Sequence, residues 1–125
     1  MDTVWAPKYR YKVLIGEVRL RVREIIKQVG DEMGVTILNG ALARDHVHMF
    51  VEIAPHVSVS DFVRRAKSRS SRKIQREFEH IRKRYWGQHF WGRGHFSTTA
   101  GNSTEDIIMA YLDRHIRKYG ISPSA

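Results

Sequence analysis

The chain has 125 residues, and its 22 lysines and arginines outnumber 13 acidic residues, which gives a formal net charge of +9. It contains no cysteine, so disulfides and thiolate zinc sites are excluded and a reducing cytoplasm is the expected location. No stretch approaches the roughly 20 apolar residues of a membrane-spanning helix. The length predicts one domain, residues 1–125. The positive charge predicts a polyanionic partner, with nucleic acid favoured over anionic lipid.

The first third of the chain predicts a strand followed by a helix. Residues 3–5 are a short apolar strand that ends before Pro7, and residues 13–15 extend or follow it. After Gly16 the apolar residues recur at spacings of three and four, which is typical of an amphipathic helix, and Gly34 is placed to end it.

Two strands are predicted next. Residues 35–42 alternate as a strand does, with Val35, Ile37, Asn39 and Ala41 on one side. Residues 46–53 form the following strand, whose side chains also point alternately to two faces. One face carries Val47, Met49, Val51 and Ile53, and the other carries His46, His48, Phe50 and Glu52.

The remaining elements are a helix, a strand and a final helix. Residues 59–78 form the second long helix, with Val63, Ala66, Ser70, Ile74 and Phe78 on its inner side. Residues 80–94 are irregular, aromatic and basic, and residues 95–99 are a last strand. After a turn at Gly101 and Asn102, a capping box of Ser103 and Asp106 starts a helix that runs to about residue 119.

This order of elements is βαββαβ with one added C-terminal helix. It predicts an α+β fold of the ferredoxin-like type, in which two helices cover one face of an antiparallel sheet. The other face is then open for function, although the fold alone does not name that function.

His46 and His48 are the first candidate site residues. Two histidines at positions i and i+2 of a strand project from the same face, so both imidazoles can reach one divalent cation. An isolated pair of this kind also occurs as two ordinary surface histidines, and the pair alone does not decide between the two.

Tyr111 and His115 extend this candidate site. They lie four residues apart on the last predicted helix and therefore share a face. His115 is a candidate third metal ligand and Tyr111 is a candidate nucleophile. The alternative for Tyr111 is an amphipathic core tyrosine.

Basic and aromatic residues supply a candidate nucleic-acid surface. The second long helix carries Arg65, Arg69, Arg72 and Arg76 on one side. Residues 82–93 mix cations with Trp86 and Trp91, a pattern that suits single strands because bases stack on rings. A solvated helix face and a minor aromatic core are the respective alternatives.

In combination, these segments resemble the single-tyrosine transposases of insertion sequences, which belong to the HUH endonuclease superfamily. The matching segments are Lys8-Tyr9-Arg10, Asp45-His46-Val47-His48, residues 67–71, Arg84-Tyr85-Trp86-Gly87, Phe90-Trp91 and Tyr111. The resemblance covers nearly the whole chain. One position departs from the family, which usually has a glutamine where this chain has His115.

The resemblance implies a mechanism and a set of site residues. His46, His48 and His115 are expected to hold one divalent cation, Mg²⁺ or Mn²⁺, and Tyr111 to attack a phosphate of single-stranded DNA. The products are a 5′-phosphotyrosine link and a free 3′-hydroxyl, which later rejoin. Apart from the resemblance, we hypothesise that Lys8, Arg10 and the four arginines of the second long helix contact DNA phosphates.

The resemblance also implies partners. Family members recognise single-stranded DNA hairpins and act as homodimers, in many cases with the tyrosine helix exchanged between subunits. Two further alternatives stay open at this point: a domesticated relative that processes palindromes, and a nucleic-acid-binding module of ferredoxin-like fold that has no enzymatic activity.

Overall fold

The computed structural model describes residues 1–86, 88–98 and 110–113. The elements are β1 (Asp2–Trp5), α1 (Gly16–Met33), β2 (Val35–Ala43), β3 (His46–Ile53), α2 (Val59–Glu77), α3 (Glu79–Arg84) and β4 (Phe96–Thr98). A 3₁₀ turn at Lys8–Arg10 precedes α1. Residues 110–113 are helical, and we call them the C-terminal helical segment.

The strands in the described part of the chain form one sheet in the order β2-β3-β1-β4. β1 lies between β3 and β4 and is antiparallel to both, and β2 pairs antiparallel with β3. This is the strand arrangement expected for βαββαβ, so the predicted ferredoxin-like α+β fold is confirmed.

α1 and α2 cover one face of the sheet, and the main core lies between the helices and the sheet. α1 ends at Gly34, whose φ of 74° lies in the left-handed region that favours glycine. α2 begins after Ser58, whose hydroxyl accepts a hydrogen bond of 3.0 Å from the backbone N–H of Asp61. The opposite side of the sheet carries His46 and His48, and we call it the open face.

A β-bulge in β2 changes which of its side chains face the core. Ile37 pairs with Val51, but Asn39 pairs with Phe50, so Leu38 is an extra residue in the ladder. Beyond the bulge, Leu42 pairs with Val47 on the core face, and its side chain is buried. The simple alternation predicted for residues 35–42 is therefore wrong after Ile37, because one inserted residue reverses the faces.

Two further differences from the sequence prediction lie outside the sheet. Residues 13–15 do not form a strand: they are a loop that buries Val13 and Leu14 and that is tied to the turn before β3 by a bond from Leu14 N to Arg44 O. The stretch after α2, predicted to be irregular, begins with α3, which buries Ile81. Both segments are too short for an amphipathic period to identify them.

The predicted turn at Gly101 and Asn102, the helix start at Ser103 and the candidate ligand His115 lie outside the described residues. In the part of the chain that is described, no helix has the length and apolar character required to cross a membrane.

Candidate functional site

β3 places both candidate histidines on the open face. Val47, Met49 and Val51 are buried in the core, whereas His46, His48 and Phe50 are half-buried on the other side of the strand. The predicted alternation of β3 therefore holds, since this strand has no bulge within its pairing to β1.

His46 is oriented by the residue that precedes it. Its Nδ1 donates to Oδ1 of Asp45 at 2.9 Å, so Nε2 is the nitrogen left for a ligand. Oδ2 of the same carboxylate accepts from Nε and Nη2 of Arg10, at 2.9 and 2.8 Å. The hydrogen bond with His46, together with the charge and hydrogen bond of Arg10, lowers the pKa of Asp45 to about 2.

His48 is oriented by a different carboxylate. Its Nε2 lies 3.1 Å from Oδ1 of Asp2, a buried residue of the neighbouring strand β1. The two histidines are thus held through opposite ring nitrogens, Nδ1 in His46 and Nε2 in His48. Asp2 carries no recognisable signal in the sequence, because only the pairing of β1 with β3 brings it to His48.

The C-terminal helical segment lies on the open face beside these histidines. Leu112 is buried against Val4 and Ala6, and the Tyr111 ring centroid is 5.8 Å from that of Phe96. Val4 pairs with Phe96 on one side and with His48 on the other. Phe96 and His48 therefore lie two strands apart, about 10 Å at the usual strand spacing. The hydroxyl oxygen of Tyr111 is buried.

The histidine pair fits a divalent cation. Each imidazole is anchored by a carboxylate through one nitrogen, the arrangement in which outer carboxylates orient metal-bound histidines. Within the described ranges, no group of three or more His, Asp or Glu side chains forms a metal cluster by itself. A third protein ligand would have to come from elsewhere, and His115 lies outside those ranges.

The predicted DNA-binding residues fall into two groups. Arg65, Arg72 and Arg76 are exposed on α2, and Lys8 is half-buried with its Nζ 5.4 Å from the Tyr9 ring centroid. The others are engaged in ion pairs: Arg69 contacts Glu32 of α1 at 2.5 and 2.8 Å, and Arg10 is buried against Asp45.

A basic cleft adjoins the exposed arginines of α2. It has a volume of about 630 Å³ and is lined by Lys8, Lys67, Ser68, Ser71, Arg72, His89, Trp91, Gly92, Arg93 and Gly94. Nζ of Lys67 donates to the carbonyls of Gly92 and Gly94, at 2.8 and 3.0 Å, and holds this loop against α2. Burial lowers the pKa of Lys67 to about 8.

The two tryptophans of residues 82–93 behave differently. Trp91 is buried and its Nε1 donates to Oγ of Ser70 at 2.8 Å, so it packs the core. Trp86 is 77% exposed and follows the three cations that end α3, so it keeps a free ring face for stacking.

The chain also matches known proteins along most of its length. The family model for IS200-like transposases matches residues 1–115. The transposase for insertion sequence element IS200 of Salmonella typhimurium strain LT2 is 36% identical over 104 residues, which cover 83% of this chain and 68% of that protein. The ISDra2 transposase TnpA of Deinococcus radiodurans R1 is 26% identical over 110 residues, covering 88% and 79%.

Solved structures share the fold. A Deinococcus radiodurans R1 protein assigned as a transposase superposes with a TM-score of 0.82 at 26% identity, over 91% of this chain and 88% of that one. A REP-associated tyrosine transposase bound to a REP hairpin superposes with a TM-score of 0.61 at 14% identity, over 97% and 68%. With a family match that extends over residues 1–115, the chain belongs to the IS200-like transposase family and is a transposase.

Proposed function

We propose that this transposase cuts and rejoins single-stranded DNA through a covalent link to Tyr111. The observation that carries the proposal is the position of the C-terminal helical segment, which lies on the open face of the sheet together with His46 and His48. A tyrosine hydroxyl and two carboxylate-oriented imidazoles on one face form a set suited to phosphoryl transfer.

The reaction has two balanced steps. In the first, the Tyr111 oxygen forms a bond to phosphorus, the bond from phosphorus to the 3′-oxygen breaks, and that oxygen takes up a proton as the tyrosine loses one. In the second, a 3′-hydroxyl attacks the phosphotyrosine and displaces the tyrosine oxygen. The number of phosphoester bonds is unchanged, so no nucleotide triphosphate is consumed.

His46, His48 and His115 would hold the divalent cation, Mg²⁺ or Mn²⁺. When bound, the cation supplies electrophilic stabilisation of the charge on the scissile phosphate. The imidazole nitrogen of His115 would favour Mn²⁺ over Mg²⁺ more than the family's glutamine oxygen would. Asp45 and Asp2 keep the two described rings in fixed orientations.

The buried Tyr111 hydroxyl implies that the helical segment moves before attack. Its oxygen is inaccessible and therefore cannot meet a DNA phosphate in the observed packing. We propose that the protein works as a homodimer in which this helix is exchanged between subunits, with Gly101 and Asn102 as the hinge. A mixture of Tyr111→Phe and His48→Ala tests this, since only exchange in trans restores activity in such a mixture.

DNA hairpins are the proposed substrate of the basic surface. Arg65 and Arg72 are exposed on α2, and Arg72 also lines the cleft that contains Lys67. α2 covers the core face of the sheet, so this surface lies away from the histidines. A hairpin held there would leave its single-stranded flank to reach the open face. The fold shared with a hairpin-bound transposase supports this substrate class.

The test uses a labelled single-stranded hairpin oligonucleotide from the flank of the chain's own gene, with Mn²⁺, and a denaturing gel. We expect a metal-dependent, SDS-resistant adduct that disappears in Tyr111→Phe. The matched control is Tyr9→Phe, a tyrosine in the turn before α1. Tight binding with no adduct, unaffected by chelator, would instead establish a binding module.

A further inference from the structure

We propose that Arg10 is a positioning residue that holds the two halves of the site together. It fixes Asp45 against His46 and it also holds Asp113, on the helical segment that carries Tyr111. The inference rests on the proposed function for its catalytic meaning, but its structural content is testable without any reaction.

The guanidinium of Arg10 meets two carboxylates at once. Its Nε and Nη2 lie 2.9 and 2.8 Å from Oδ2 of Asp45, and its Nη1 lies 3.8 Å from Oδ1 of Asp113. Asp113 is two residues after Tyr111. One side chain thus contacts both the residue that orients His46 and the segment that presents the nucleophile. A planar fork with donors on three nitrogens can do this, whereas the single ammonium of lysine cannot match its geometry.

The backbone around Arg10 supports a specific placement. Tyr9 and Arg10 have φ of 62° and 53°, so two consecutive residues other than glycine adopt the left-handed region. Such conformations persist where the surrounding structure holds them. Here Arg10 N donates to Pro7 O at 2.8 Å, and the Tyr11 ring packs on the buried Tyr85 at 5.6 Å between centroids. The turn is therefore held by a backbone hydrogen bond before Arg10 and by a ring contact after it.

Burial argues against a direct DNA contact for Arg10. Only 7% of the residue is exposed, and three of its guanidinium nitrogens are directed at Asp45 and Asp113. From the sequence, Arg10 and Lys8 are both predicted to contact DNA phosphates. The geometry points instead to an internal role, while Lys8 lines the basic cleft.

This arrangement explains why Asp45 can orient His46. Arg10 occupies Oδ2 of Asp45, so Oδ1 remains for Nδ1 of His46, and Nε2 is presented to the site. Loss of Arg10 would free the carboxylate to rotate. The same loss would release the weaker contact to Asp113, which is 59% exposed at its side chain.

The test uses two readouts on metal-free protein at constant pH. The first is the ratio of the two His46 tautomers, measured from its ring ¹⁵N shifts. The second is amide hydrogen exchange at residues 110–113. We expect Arg10→Gln to change both: a shifted tautomer ratio, and exchange about two- to fivefold faster, the effect of losing one exposed ion pair.

Matched variants separate the two contacts. Asp113→Asn changes an exposed side chain and should accelerate exchange at residues 110–113 while leaving the His46 tautomer ratio as it is. Asp45→Asn should change the tautomer ratio. Arg10→Lys keeps the charge but loses the fork, and it serves in place of Arg10→Gln if that variant does not fold. It should also change both readouts.

Unchanged exchange in Asp113→Asn, or an unchanged tautomer ratio in Arg10→Gln or Arg10→Lys, would overturn the inference. Both readouts are independent of cleavage. A wild-type protein that forms no DNA adduct would therefore refute the proposed function without deciding the role of Arg10.

Discussion

Oδ1 of Asp2 lies 3.1 Å from Nε2 of His48, across the pairing of two antiparallel strands. The carboxylate is almost completely buried, so it is a fixed acceptor rather than a mobile surface group. This contact makes the first strand part of the candidate metal site. It also gives the first prediction.

We expect Asp2→Asn to lower Mn²⁺ affinity and the rate of adduct formation by about 10- to 100-fold, the usual cost of losing a carboxylate that orients a ligand histidine. Calorimetric titration with Mn²⁺ and the adduct gel measure the two effects. The control is Glu24→Gln, an exposed carboxylate of α1 that pairs with Arg21. Equal Mn²⁺ affinities and equal rates of adduct formation in the two variants would show that Asp2 has no role at the site.

The second prediction concerns the exposed arginines of α2. Replacing Arg65 and Arg72 together by glutamate should weaken hairpin binding, and it should reduce the slope of log K against log salt by about 2, since each duplex phosphate contact contributes about 0.9. Filter binding over a range of salt concentrations measures both. Arg23→Glu with Lys27→Glu, exposed cations of α1, is the matched control. A slope that drops equally in the control would place the DNA elsewhere.

For Arg69, also on α2, we predict a smaller effect on DNA binding than for the exposed arginines. Because both of its terminal nitrogens contact Glu32, its charge is already partly neutralised. We expect Arg69→Gln to reduce hairpin affinity less than Arg72→Gln at the same salt concentration. A larger loss for Arg69→Gln would show that the pair with Glu32 opens when DNA binds.

A third prediction follows from the lowered pKa of Lys67, which burial brings to about 8. Between pH 7 and 9 Lys67 loses its positive charge in the free protein, whereas a phosphate bound beside Lys67 would keep it protonated. Hairpin affinity should therefore fall severalfold over this range. Lys67→Arg should flatten the dependence, because arginine stays charged. Binding that declines equally in both proteins would assign the effect to another group.

Other ionisable side chains lie around Lys67. Arg72 and Arg93 line the same cleft and supply further positive charge. Burial, and then the charge of Lys67, lower the pKa of His95 below its ordinary value. In the free protein the folded pKa of Lys67 is below its unfolded value of 10.5. Its burial therefore opposes folding below about pH 8, and this penalty is relieved as the pH rises towards 10.5.

The fourth prediction concerns the buried bond that joins the loop after α3 to α2. Oγ of Ser70 accepts from Nε1 of Trp91 at 2.8 Å. Ser70→Ala leaves this donor unsatisfied, so the free energy of unfolding should fall by about 1–3 kcal/mol. Urea denaturation measures it. Ser71→Ala, a partly exposed neighbour, should change it by less than about 0.5 kcal/mol. Equal changes in the free energy of unfolding of the two variants would show that a water molecule takes the place of the Ser70 hydroxyl as the acceptor for Trp91.

Sequence periodicity was sufficient to predict which side chains face the core where an element is long or regular. The inner stripe of α2 was predicted at Val63, Ala66, Ser70, Ile74 and Phe78. The first four are buried, whereas Phe78 follows the last residue of the helix and is half-buried. The two faces of β3 were predicted as well. Periodicity failed in β2, where the extra Leu38 exchanges the faces, because a bulge leaves no reliable mark in a single sequence.

The sequence by itself determined the βαββαβ order, the projection of His46 and His48 from one face, and the basic character of the protein. These depend on composition and on the period-two geometry of a strand, which are local properties. The tertiary structure alone decided the partners of the charged groups. Asp2 meets His48 across 46 residues, and Arg10 meets Asp45 across 35. It also separated the exposed Arg72 from Arg69, which pairs with Glu32. The reason is that ion pairs and hydrogen bonds form between side chains that folding brings together, and distance along the chain does not encode which carboxylate lies within reach of a given cation.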